Sequence, residues 1–315
     1  MSEIQLPIVL EPQHAESAMG YVLRCVHANG VNLHWLRRAI GLPDMGVFTS
    51  VQARSLAWVL QCSESWLANG LGRIQKENGV PSLHCWGHKF YSTNHVRRQW
   101  PQLCPECVHL DGYCHRAWEL SMATVCSKHK RLLTDECMHC HSRLRWDRPS
   151  VDICHCGYGF QPDSKPFHLG RVHQEFALLL EHVTSYDPNT ESWNSTALPQ
   201  FLRNLPVNGL SMLVEALGRL EFEYQILPVG HRMRVLRTHE SNNIVQRALD
   251  RMPLLDRADV EATFGLVIDQ VALKRLINRS TNELELQVAS LLLSNIPAAE
   301  RVFMPQKAKQ LSLFP

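Results

Sequence analysis

The chain has 315 residues, 45% of them apolar and 20% charged, with a net charge of +2. This is an ordinary soluble globular composition with room for two or three small domains. A balance so close to neutral gives no bulk-charge argument for nucleic-acid binding, and the longest apolar runs, Phe176 to Leu180 and Leu291 to Leu293, fall far short of the roughly 18 residues of a membrane span.

In chain order, Met19, Val22, Leu23 and Val26 repeat at helical spacing before Asn29-Gly30, a helix stop. Asn32 can cap a second helix through Trp35, Leu36 and Ile40 to Gly41. Ser55 to Leu60 and Glu64 to Leu71 continue the pattern, which predicts an N-terminal helical domain over 1–80. Its first pair reads either as a helix-turn-helix-like unit or as part of a plain helical bundle. Gly79-Val80-Pro81 and the stretch to Trp100-Pro101 lead into a cysteine-rich segment, and Gln161 to Pro166 marks its exit.

That segment, placed at 81–162, holds eight metal-ligand residues in four tight pairs: Cys104/Cys107, Cys126/His129, Cys137/Cys140 and Cys154/Cys156. A zinc ion takes four such ligands in a tetrahedron, and each knuckle offers two of them from one turn, so two knuckles close one site. The spacings favour sequential pairing, with 18 residues between the first two pairs and 13 between the last two. Two structural Zn2+ ions per chain are expected, one on three cysteines and a histidine and one on four cysteines. Gly157 can take a positive φ after the last ligand, while Cys114 and His115 are near enough to substitute as ligands.

Disulfides fit less well, because eleven cysteines are an odd number and the N-terminus carries no signal peptide; a reducing bacterial cytoplasm is expected. Catalytic zinc fits less well too, since both sites close with four protein ligands. His173-Gln174-Glu175 supplies the first element of a base-deaminase signature, but no cysteine knuckle follows it. Metalloprotease, esterase and P-loop motifs are absent, so no catalytic residue is assigned and the chain is read as a non-enzyme. Over 84–150, ten Lys/Arg against six acids give +4. Seven thiolates and two zinc ions would bring that to about +1, largely cancelling the basic impression at short range.

Beyond 163 a C-terminal helical domain is expected to 315. Leu169, Val172, Phe176, Leu179 and Val183 form one helical stripe, Asp187 to Pro206 reads as an exposed connection, and Leu210, Leu213, Val214, Leu217 and Leu220 give another helix. In His231 to Arg237 the alternation places Arg232, Arg234 and Arg237 on a short basic strand or a solvated edge. A helix-turn-helix candidate spans 256–279: Asp256 caps a helix through Val260 and Phe264, Gly265 makes the turn, and Asp269 caps a second helix with Lys274, Arg275 and Arg279 near its outer face. Such a unit contacts nucleic acid or docks protein.

The order of features resembles the TniQ family of transposition proteins. It runs from Pro12 through Glu16-Ser17-Ala18-Met19-Gly20-Tyr21-Val22-Leu23-Arg24 and Asn29-Gly30 to Leu103-Cys104-Pro105-Glu106-Cys107, Tyr113, Arg116 and Trp118. It continues with Cys126-Ser127-Lys128-His129, Leu132-Leu133, Cys137-Met138-His139-Cys140 and the Cys154/Cys156 pair. The match covers about 15 to 160 and fades beyond; the Cys-x-Cys closure departs from the pattern. The resemblance implies a non-enzymatic target-selection adaptor of a bacterial transposon. Such an adaptor links a target marker to an AAA+ ATPase of the TniB or TnsC kind, which recruits the transposase. In that family the marker is either a DNA attachment site or an RNA-guided CRISPR effector with its guide RNA, and a head-to-tail homodimer is one arrangement used. No membrane partner is implied. A stand-alone sequence-specific DNA-binding regulator is the competing class.

Overall fold

The computed structural model describes residues 4–43, 46–162, 169–185, 197–221, 235–256 and 267–294. The fold is mainly helical with some sheet. Four short helices open the chain: α1 Ala18–Ala28, α2 Leu33–Ala39, α3 Ala53–Leu60 and α4 Glu64–Leu71. Their starts follow from local chemistry. Ser17 Oγ accepts from Gly20 N, Asn32 Oδ1 from Trp35 N at 2.8 Å and Ser63 Oγ from Trp66 N, each satisfying one of the unpaired first-turn amides. Gly30 at φ +67° and Gly41 at φ +73° end α1 and α2 as expected.

An antiparallel sheet follows that the sequence reading did not include: β1 Arg73–Glu77, β2 Val80–Cys85 and β3 His88–Phe90, in the order β1-β2-β3. Asn78 and Gly79, both at positive φ, make its first turn. The central segment adds α5 Pro105–Leu110 and a two-stranded ribbon of β4 Val125–Cys126 and β5 Arg131–Leu132. The C-terminal half carries α6 Arg171–Thr184, α7 Val207–Gly218, α8 Thr238–Arg251, α9 Gln270–Arg279 and α10 Glu283–Ser294. Of these, α8 and α10 were not anticipated.

Two hydrophobic cores organise the described residues. One joins α1 to α4 with the cysteine-rich segment, through Tyr21, Leu23, Leu36 and Leu67 to Leu103, Leu144, Trp146 and Phe160. The other joins β2, β3 and the 120–123 turn to α6 through α10, through Leu83, Phe90 and Leu120 to Phe176, Leu213, Leu249 and Leu276. The N-terminal helices thus share a core with the metal-ligand residues, and β2 runs across residues 80 and 81.

The stretch read as an exposed connection differs in its described part. Leu198, Leu202 and Leu205 are buried around a single 3-10 turn, because they pack under α7 in the second core. No described helix is long and apolar enough to cross a membrane.

Candidate metal centres

The first quartet assembles from two local structures. Cys104 precedes α5 as its N-cap residue with Pro105 in the first turn, so Cys104 and Cys107 lie at a helix start, where backbone amides favour thiolate. Cys126 ends β4, and His129 N donates to Cys126 Sγ at 3.3 Å within the turn to β5. Across the quartet, Cys107 Sγ lies 3.6 Å from Cys126 Sγ, and His129 Nδ1 lies 3.1, 3.5 and 3.8 Å from the sulfurs of Cys107, Cys104 and Cys126. A metal about 2.3 Å from sulfur and about 2.0–2.1 Å from nitrogen places tetrahedral ligand atoms roughly 3.5–3.8 Å apart. The donor set and its spacing therefore fit one ion.

The second quartet is Cys137, Cys140, Cys154 and Cys156, with Cys137 and Cys156 sulfurs 3.8 Å apart and those of Cys140 and Cys154 3.9 Å apart. All ligand atoms within each quartet lie within 4.8 Å of one another, so each group could hold a metal ion. The sequential pairing expected from the spacings is the pairing found.

One backbone device recurs. The residue after the second ligand is left-handed at Lys130 (φ 53°), His141 (φ 55°) and Gly157 (φ 86°), and its amide donates to the carbonyl of the first ligand: Cys126, Cys137 and Cys154 respectively. Gly157 takes the positive φ expected of it, and lysine and histidine adopt the same conformation at the other two knuckles.

The thiols of the first quartet do not share their protons equally. Cys104 and Cys107, acting as donors, hold Cys126 far below the ordinary thiol range and are themselves held above it. Among the cysteines outside the quartets, burial pushes Cys25 up to about 12 and Cys114 up to about 11. Such thiols are neutral and inert at pH 7. Cys114 lies against Arg148, 3.8 Å from Nη2, and is not among the ligand groups. His115 comes within reach of Cys107 and Asp111, but its ring stacks between Tyr113 and Trp118 at centroid distances of 4.8 and 4.7 Å. Of the remaining histidines, His139 stacks on Tyr158 and His141 faces Glu136.

Several supporting residues were not visible from spacing. Arg131 of β5 pairs with Glu106 of α5, and Lys128 pairs with Asp111 at 2.7 Å, so two charge pairs bridge the two ligand turns. Ser127 Oγ donates to Glu181 of α6 at 2.5 Å, and Arg116 Nη1 donates to the Thr184 carbonyl at 2.8 Å, tying the first quartet to the C-terminal half. Glu16 takes both Arg24 Nε and Nη2, while Ser17 N donates to the Cys114 carbonyl and Arg116 N to that of Ala15. The start of α1 is thereby laced to the segment that carries Tyr113, Arg116 and Trp118. Close approach requires glycine at 20, where an added Cβ would sit 3.0 Å from Cys114 Cβ.

The basic residues singled out for partner contact have mixed placements. Arg232 and Arg234 lie outside the described residues, as does the 257–266 part of the helix-turn-helix candidate. Met252–Asp256 is a 3-10 turn at the end of α8. Asp269 caps α9 as expected, accepting from Val271 N at 3.0 Å. Of the basic residues of α9 only Lys274 is exposed: Arg275 pairs with Glu215 at 3.1 Å, and Arg279 lies over Tyr91 while donating to the Tyr91 and Pro81 carbonyls. Arg237 faces Glu136 at 3.5 Å. Near the deaminase-like triplet, Glu175 pairs with Arg171 and His173 is buried on α6.

A mainly helical chain with two four-ligand knuckle clusters built into one of its cores is a metal-knuckle scaffold. Residues 7–133 match the family model for TniQ. The family implies a transposition-associated role. No curated protein matches the chain.

Proposed function

We propose that the protein is a non-enzymatic adaptor in transposon target-site selection. It docks a target marker, either an RNA-guided CRISPR effector or a DNA site, and an AAA+ ATPase of the TniB or TnsC kind that recruits the transposase. The observation that carries this reading is the TniQ match over residues 7–133 on a chain whose N-terminal helices share one core with both ligand quartets. Each quartet holds one structural zinc in this reading. Closed four-ligand coordination makes the ions fasteners, supplying rigidity to segments with few apolar residues of their own. Arg275 and Arg279 are occupied within the chain, which favours a protein-docking role for α9 over a phosphate-reading one.

The test is binding of the purified full chain to an AAA+ ATPase of the TniB or TnsC kind and, separately, to duplex DNA at physiological salt. The adaptor reading expects saturable binding to the ATPase and weak duplex binding. Nanomolar, sequence-specific duplex binding with no ATPase binding would replace it with a DNA-binding regulator.

A further inference from the structure

Between the 94–95 turn, the 121–122 turn, α7 and α8 lies a cavity of about 50 Å³, at the joint of the central segment and the C-terminal helices. Its walls are apolar except for Asn94, His95, Ser121, Ser211, Glu215, Arg219 and Ser241. The polar groups are not matched to one another. Arg219 is 8% exposed and His95 4%, yet Arg219 Nε and Nη1 and both ring nitrogens of His95 are buried without a hydrogen-bond partner.

Glu215 cannot supply the missing acceptors. Its Oε1 takes Arg219 Nη2 and lies 3.5 Å from His95 Nε2, a charge contact without a hydrogen bond, while Oε2 takes Arg275 at 3.1 Å. Burial pushes the Glu215 carboxyl up, but His95, Arg219 and Arg275 outweigh it and keep the group ionised. One carboxylate thus faces two guanidiniums, leaving an excess positive charge even with a neutral imidazole. Neutral hydroxyls cannot offset it, and those of Ser121 and Ser211 are turned to the Asn94 and Val207 carbonyls. Buried donors on a charged group without acceptors are costly, and a water molecule offers hydrogen bonds but no compensating charge.

We infer that this cavity is a binding site for a small tetrahedral oxyanion of the phosphate or sulfate class, held by Arg219 and His95. Its size suits one, because a water-sized probe takes roughly 10–15 Å³ of such volume and an oxyanion presents four oxygens. The anion bridges α7 to the 94–95 turn, so its binding free energy adds to the stability of the joint. This site is independent of the metal centres and of the proposed adaptor role.

The experiment is thermal unfolding of the full chain against inorganic phosphate, with chloride at matched ionic strength as reference. The site predicts a saturable rise in Tm of about 5 °C at a hundredfold excess over Kd. It also predicts loss of that rise in Arg219→Gln and in His95→Gln. Should Arg219→Gln fail to fold, His95→Gln and phosphorus NMR line broadening on the wild-type chain decide. A non-saturating rise of equal size in wild type and His95→Gln, or a saturable one unchanged by that substitution, would overturn the site.

Discussion

Arg97 Nη2 donates to Asp135 Oδ2 at 2.5 Å in a site where Arg97 has no exposed surface. The same carboxylate oxygen accepts from Thr238 N at 3.2 Å, and Arg97 Nη1 donates to the Leu236 carbonyl at 3.0 Å. Gln102 extends the framework: its amide reaches the carbonyls of Trp118, Leu120 and Ala123, and Thr238 Oγ1 donates to its oxygen at 2.7 Å. The segment around the first quartet is thus bolted to the start of α8. Burial pulls Arg97 down to about 10 with Asp135 opposing, so the guanidinium remains charged at neutral pH. Removing one member leaves a buried charge unpaired. Asp135→Ala is expected to cost about 3–5 kcal/mol in denaturant unfolding, with Arg97→Met less severe because Asp135 keeps Arg143 at 3.5 Å and the Thr238 amide.

Helices α7 and α8 meet at Gly218, where an added Cβ would fall on the Ile244 carbonyl oxygen. That obstacle is backbone, so the helices must part. Gly218→Ala is expected to destabilise the chain by about 1–3 kcal/mol, whereas Gly170→Ala, with nothing near its Cβ, leaves unfolding nearly unchanged.

Glu119 gives a pH dependence of known sign. Burial raises its carboxyl to about 7, against Ser17, Arg116 and Arg98, and its Oε1 has no hydrogen-bond partner. The folded state therefore binds this proton more tightly than the unfolded state, whose value is near 4.5. Its stabilising contribution is complete below pH 4.5 and is lost as pH rises through 7. Glu119→Gln should accordingly be the more stable protein at pH 8.5, by up to about 3 kcal/mol, with the advantage shrinking toward pH 6. An equal difference at both pH values would show that the carboxyl does not titrate in this window.

What was legible in the sequence was what short-range chemistry determines. The quartets follow from ligand spacing within single turns, and α1 to α4, α6, α7 and α9 follow from apolar repeats and caps such as Asn32 and Asp269. The β1-β2-β3 sheet was missed because β1, Arg-Ile-Gln-Lys-Glu, has no buried face to produce an alternating pattern. Asn78-Gly79 was the available signal for its hairpin. Helix α8 was missed because its composition is polar; Ile244, Val245, Ala248 and Leu249 carry its buried stripe. The framework at Arg97, Asp135 and Thr238 joins residues 38 and 103 positions apart, and no local pattern announces such pairs.

Loss of single ligands should separate the two centres. Cys107→Ser is expected to release the metal of the first quartet and loosen α5 from the β4-β5 ribbon. Because Ser127 and Arg116 tie that region to α6, the loss should spread to the C-terminal half. Cys140→Ser should release only the second metal. Metal content with protease sensitivity of each variant checks both outcomes, and retention of two ions by either one would move its ligand assignment.

The most direct measurement of the central claim, that Cys104 to Cys156 forms two closed metal centres in a rigid scaffold, is the zinc content of the purified full chain. Elemental analysis should give two zinc ions per chain, both lost to a strong chelator together with cooperative unfolding. One ion or none in a chain that stays folded and unchanged under chelation would contradict it.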